Sequence, residues 1–185
     1  MPDMPIHAGT GPLYALDGIA PKVDASAWVA PTAAVIGNVE IGPHSGIWFH
    51  CVLRGDTNVI RIGARVNVQD GTILHVNRGM FATILDDDVT VGHACIIHAC
   101  TLKRRAFVGM GATVLDGAVI EEGGMLAAGA LLTPNKVIGP NELWSGSPAK
   151  LWRVMSAEER TGFDQTAVHY AELAARFKAG LRSVG

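Results

Sequence analysis

Histidine is the residue whose type and placement invite chemistry in this chain, because imidazole ligates divalent metals and exchanges protons near neutral pH. "VGHACIIHAC", residues 91–100, carries His93 and His98 among apolar and small residues, and a further histidine, His75, ends "VNVQDGTILH". Local spacing gives no metal site. Residues five apart lie on opposite faces of a strand and well around a helix from each other. Whatever these side chains do is decided by the elements that carry them.

Those elements show as a six-residue period. An aliphatic residue opens each unit at Val35, Ile41 and Ile47, then at Ile62, Val68 and Leu74, at Val91 and Ile97, and from Leu102 through Val108, Val114, Ile120 and Leu126. Four residues later a small or β-branched side chain recurs, as at Val39, Ser45, Cys51, Thr72, Cys95, Ala112 and Ala118. The period is too short for a helix hairpin and lacks the polar turns of a meander. It fits short parallel strands joined by tight corners and stacked as a solenoid, a hexapeptide-repeat β-helix. The register breaks between Leu53 and Ile62, Leu74 and Leu85, and Ile97 and Leu102. Insertions in solenoids become loops, and loops carry sites.

The reading divides the chain into an N-terminal segment (1–22), the β-helix (23–150) and a C-terminal helical segment (151–185) packed on the solenoid. Ser156, followed by Glu158 and Glu159, supplies an N-cap and an acidic first turn. Phe163, Val168, Leu173, Ala174 and Phe177 recur at roughly helical spacing, and Gly180 is a stop.

In this register His75 follows Leu74 and His98 follows Ile97, three strand steps apart. In the superfamily that such hexapeptide repeats resemble, three steps close one coil, which would stack the two imidazoles on one face, about 4.8 Å apart along the axis. His93 faces another side, and reaches such a pair only from a neighbouring solenoid packed around a threefold axis. Three imidazoles leave a fourth position for water, the arrangement of a catalytic zinc, with iron and cobalt also suited to imidazole. His7, His44, His50 and His169 are read as structural.

Composition narrows the function classes. A net charge of −2 lacks the basic footprint that nucleic acid requires. No apolar run of membrane-spanning length and no signal-like start is visible, and three cysteines form neither an even framework nor a CxxC motif. The expectation is a cytoplasmic protein with Cys51 and Cys95 packed in the core, Cys100 left open, and Trp28, Trp48, Trp144 and Trp152 as corner and helix-docking residues.

"WFHCVLRGD" (48–56), "IGARVNVQDGTILHV" (62–76) and "VTVGHACIIHACTL" (89–102), with "NELWSGSPAK" near the end, resemble the γ-class carbonic anhydrase family over nearly the whole chain. The resemblance implies an all-β fold, a left-handed parallel β-helix forming a triangular prism with a C-terminal α-helix. It also implies a homotrimer with metal sites shared between subunits, and reversible hydration of CO2 to bicarbonate by a metal-bound hydroxide. His75, His93 and His98 match the metal ligands. Gln69 matches the glutamine that hydrogen-bonds the metal-bound water or product, Asn67 a neighbouring polar residue, and Arg54, Asp56 and Asp70 a charged set near the subunit interface.

One departure stands out. Family members carry a glutamate directly after the Arg-x-Asp run and another in an acidic loop, for proton transfer. Here Thr57 follows Asp56, and "VNRGMFAT" holds no carboxylate, as in the short-loop branch of the family. Tyr14, Tyr170 and His50 are candidates for the missing relay. Two further functions remain open: acyl-CoA thioesterase or acyltransferase chemistry on the same scaffold, and a metal-bearing structural or assembly subunit with little activity.

Overall fold

The structure, a computed structural model, describes residues 11–184. Strands of mostly two or three residues, such as Asn67–Val68, Ile73–His75 and Thr90–Val91, pair in parallel with the strand one coil away. The result is a left-handed parallel β-helix of triangular section with one helix, Ala157–Gly180, at its C-terminal end. The fold expectation is met. His7 lies outside the described residues.

The hexapeptide logic is visible in the core. The aliphatic openers Val35, Ile47, Leu53, Val68, Leu74, Val91, Ile97, Leu102, Val108, Val114, Ile120 and Leu126 are fully buried, and with Cys51, Ala112 and Ala118 they belong to one continuous cluster. Burying each large aliphatic contributes roughly 1.5–3 kcal/mol. The corners need left-handed backbone, which glycine adopts without cost. Gly111, Gly117, Gly123 and Gly129 supply it in the later coils at φ of 66–70°. In the histidine segment the same turns fall on Ala94 (φ 55°) and Ala99 (φ 50°) instead.

Three faces result. The first runs through Val52, Ile73–His75, Ile96–His98, Thr113–Val114 and Leu131–Leu132 in register. The second includes Thr83–Leu85, Thr101–Leu102, Val119–Ile120 and Val137–Ile138. The third starts at Trp28–Val29 and Gly46–Ile47, passes Asn67–Val68 and Thr90–Val91, and ends in an antiparallel hairpin of Glu142–Gly146 with Ala149–Val154.

All three register breaks are real. Between Gly55 and Ile60 the chain bulges, so that Asp56 to Val59 stand against Asn38 alone. Residues 77–82 loop between Ile73–His75 and Thr83–Leu85, and the step from Ile97 to Leu102 is one residue short of six.

The helix starts as its sequence requires, with a capping box between Ser156 and Glu159. Its inward side matches the expected one at Phe163, Leu173, Ala174 and Phe177 and departs from it at Val168. Arg160, Ala167 and Ala174 are buried, Phe163 packs on Phe107, and Tyr170 and Phe177 pack on Trp48, whereas Val168 is 53% exposed. Steps of three and four from Phe163 lead through Ala167, Tyr170, Ala174 and Phe177, which leaves Val168 one position off the stripe. Trp28 and Trp48 dock the helix with Phe49 and Phe177. Trp152 does not: it stands 66% exposed on the terminal hairpin, a correction to its docking role. Among the described residues, no helix is long and apolar enough to cross a membrane.

Candidate metal centre

On the first face, Leu74 and Ile97 are fully buried, so strand alternation turns Ile73, His75, Ile96 and His98 outward. His98 pairs directly with His75. Their ring centroids are 5.1 Å apart, and Nδ1 of His75 lies 3.1 Å from Nε2 of His98.

Each ring's other nitrogen faces a carboxylate. Nε2 of His75 is 3.1 Å from Oδ1 of Asp56, and Nδ1 of His98 is 2.5 Å from Oδ1 of Asp116. Donation from those nitrogens fixes the tautomers, so that in the neutral rings the two facing nitrogens are bare acceptors. Two lone pairs so placed can share a cation, whether a proton or a metal ion. Nitrogens bound to one tetrahedral metal at 2.0–2.1 Å are about 3.3 Å apart, close to what is found. The pair therefore fits two positions of a divalent metal.

The carboxylates are held in place in turn. Asp56, on the bulge, pairs with Arg54. Asp116 accepts a 2.5 Å hydrogen bond from Nδ2 of Asn77 at its second oxygen. Burial pushes both carboxyls up, but the hydrogen bond from His75 and the pairing with Arg54 on Asp56, and the hydrogen bonds from Asn77 and His98 on Asp116, hold them below the usual range. Behind the pair, the buried Thr83 hydroxyl donates to the His75 carbonyl at 2.5 Å and accepts from Ala99 N at 2.9 Å.

His93 is elsewhere. It lies in the corner between Thr90–Val91 and Ile96–His98, with Nδ1 3.0 Å from Oδ2 of Asp70. Beside it is a buried amide chain, in which Gln69 donates to Asn67 at 3.0 Å and Asn67 to Thr90 at 2.9 Å. The residues singled out in the sequence thus divide into two groups within one chain. Arg54, Asp56, His75 and His98 come together on one face, while Asn67, Gln69, Asp70 and His93 gather around a corner. Among the described residues of a single chain, no three His, Cys, Asp or Glu side chains are arranged to hold a metal ion.

Asp116, Asn77 and Thr83 escaped the sequence reading. Carrying the register one coil beyond His98 gives Leu115, since Ile97 pairs with Val114, so Asp116 lies one residue past the histidine column and the repeat does not single it out. The other candidates lie away from the pair or pack for structure. Cys51, Cys95 and Cys100 are all buried, with the Cys51 thiol pushed up to about 12 by burial and the other two also raised, so none is a nucleophile. His44 and His50 occupy left-handed corners, and Tyr170 packs under the helix against Trp48.

The chain matches no known family profile. It is 48% identical over 159 residues to gamma carbonic anhydrase 2, mitochondrial, of Arabidopsis thaliana, an alignment covering 83% of this chain and 57% of that one. It spans less than two thirds of the length of the three Arabidopsis relatives it matches (57%, 58% and 62%). A carbonic anhydrase of Geobacillus kaustophilus is 41% identical over 167 residues, 90% of this chain and 91% of that one. Among solved structures, a hexapeptide transferase family protein from Anaplasma phagocytophilum shares 45% identity with a TM-score of 0.85, over 91% of this chain and 98% of that one. With a relative so similar along nearly its full length, and with the histidine register in place, the chain belongs to the γ-class carbonic anhydrase-like family of hexapeptide-repeat proteins.

Proposed function

We propose that the protein hydrates CO2 reversibly to bicarbonate, as a homotrimer whose metal sites are shared between copies. His75 and His98 of one copy and His93 of a neighbouring copy would hold zinc, with iron or cobalt as alternatives. The observation that carries this reading is the divided site: two imidazoles with converging bare nitrogens on one face, and the third around the corner beside Gln69 and Asp70.

The face that bears the pair supports a covering copy. Val52, Ile73, Ile96, Thr113 and Leu131 point outward in register along it, with Ile73 and Ile96 each more than 40% exposed. A metal bound there supplies Lewis acidity that brings the pKa of a water towards neutrality.

The chain's own residues do the rest. Asp56 and Asp116 orient the two rings. The His75 hydrogen bond and the Arg54 charge offset burial and hold the Asp56 carboxyl low. Asn67 and Thr90 fix the Gln69 side chain, whose amide orients the oxygens of bicarbonate. The apolar row around the pair excludes bulk water from the neighbourhood of CO2.

Metal analysis with stopped-flow CO2 hydration tests the proposal. Wild type should carry about one metal per chain and hydrate CO2, and His98→Ala should lose both. Metal retained in His98→Ala would remove the basis of the reading. Bound metal without hydration would leave thioester hydrolysis or an assembly role, which thiol release from acyl-CoA substrates separates.

A further inference from the structure

We infer that Asp116 is a positioning residue of the metal centre: one carboxylate fixes the His98 ring and, through Asn77, ties the 77–82 loop to it. The inference rests on the proposed metal site and extends it to residues that no histidine pattern singles out.

The geometry is specific. The two carboxylate oxygens divide their work, Oδ1 at 2.5 Å from His98 Nδ1 and Oδ2 at 2.5 Å from Asn77 Nδ2. Asn77 is the first residue of the loop, and its carbonyl accepts from Asn58 Nδ2, a residue of the bulge that also carries Asp56. Phe81, further along the loop, lies against Gly117, where an added Cβ would come within 3.0 Å of Phe81 Cζ. The Asp116–Gly117 corner thus receives the loop twice, at Asn77 and at Phe81.

The consequence for His98 is orientational. Without a partner on Nδ1 the ring is free to turn about its χ2 axis and to exchange tautomers, and either motion removes the bare nitrogen from its place opposite His75. Losing such a support commonly weakens metal binding about 10–100-fold. A carboxamide at this position puts an NH2 donor where one of the two oxygens stood, so one of the two partners meets a donor instead of an acceptor.

Zinc affinity measured by chelator competition on the full-length chain, read together with the visible spectrum of cobalt-loaded protein, tests the inference. Asp116→Ala should weaken binding 10–100-fold and change the cobalt spectrum. Asp116→Asn should fall between it and wild type, and guards against a misfolded alanine variant. Asn77→Ala should shift affinity in the same direction by less, and Asp86→Ala, half-buried beside Lys103 at the end of the Thr83–Leu85 strand, should bind as wild type does. His98→Ala separates the two levels of the argument. If it loses zinc while both Asp116 variants bind as wild type does, the positioning role is overturned and the metal site stands. If it keeps zinc, the metal site itself is wrong and the positioning role falls with it.

Discussion

His75 and His98 occupy the same position on successive coils, with two ring nitrogens 3.1 Å apart and each remaining nitrogen facing a carboxylate. Both rings stand on the outer side of strands whose inner residues, Leu74 and Ile97, are fully buried. Function and stability are therefore separable at these positions. His75→Ala and His98→Ala should each bind zinc more than 100-fold more weakly. Their melting temperatures in the presence of EDTA should match that of EDTA-treated wild type within a few degrees. Equal metal content in either variant and wild type would contradict the two-ligand role.

A site divided between copies makes a prediction that a site within one chain does not. His93→Ala keeps an intact His75–His98 pair, and His98→Ala keeps an intact His93. If trimers of the two variants assemble at random, about a quarter of the interfaces join the good half of one to the good half of the other. Co-expression should then recover about a quarter of wild-type metal and activity, although each variant alone has neither. Recovery of nothing from verified mixed trimers would place all the ligands in one chain.

How far the sequence disclosed this follows from what repeats and what does not. The aliphatic openers Leu74 and Ile97 carry the register, and the register alone is enough to place His98 on His75. It also separates His93 from them, because a corner intervenes. The supporting contacts were not legible, since they arise where the hexapeptide rule fails. Asp56 reaches His75 from a bulge, Asn77 opens the loop, and Asp116 meets His98 beside a step one residue short. Counting sixes gives no geometry at such places. On the helix, Val168 misled because it is apolar, whereas Ala167, small and easily overlooked, is the residue that packs.

Away from the metal face, the corner pair of Arg65 and Asp88 sets an acid dependence. Two hydrogen bonds, at 2.6 and 2.9 Å, join them, and Arg104 lies beside the same carboxylate. Burial pushes the Asp88 carboxyl up, but the two arginines hold it below the usual range. A depressed folded value means that the contribution is complete above the unfolded pKa, about 3.9, and is lost as pH falls through the lower folded value. Asp88→Asn should therefore melt below wild type at pH 6, with the gap closing as the pH is taken below 4. A gap that stays constant between pH 6 and 3 would show that the carboxylate charge is not what stabilises this corner.

Thr83 offers the most direct link between the fold and the site. It is fully buried, and its hydroxyl lies between the His75 carbonyl and Ala99 N, joining the backbone of one histidine to the residue after the other. Val has the same shape without the hydroxyl, so Thr83→Val leaves the packing intact and removes only the bridge. Losing a buried hydrogen-bond partner costs about 1–3 kcal/mol. The variant should denature at lower urea concentration with an unchanged m-value. Because the bridge reinforces the direct 3.0 Å bond from Ala99 N to the His75 carbonyl between the two histidine strands, zinc affinity should fall as well, and Thr83→Ser, which keeps the hydroxyl, should recover most of it. A Thr83→Val protein that is less stable but binds zinc as tightly as wild type would show that the strand pairing alone holds the rings in register.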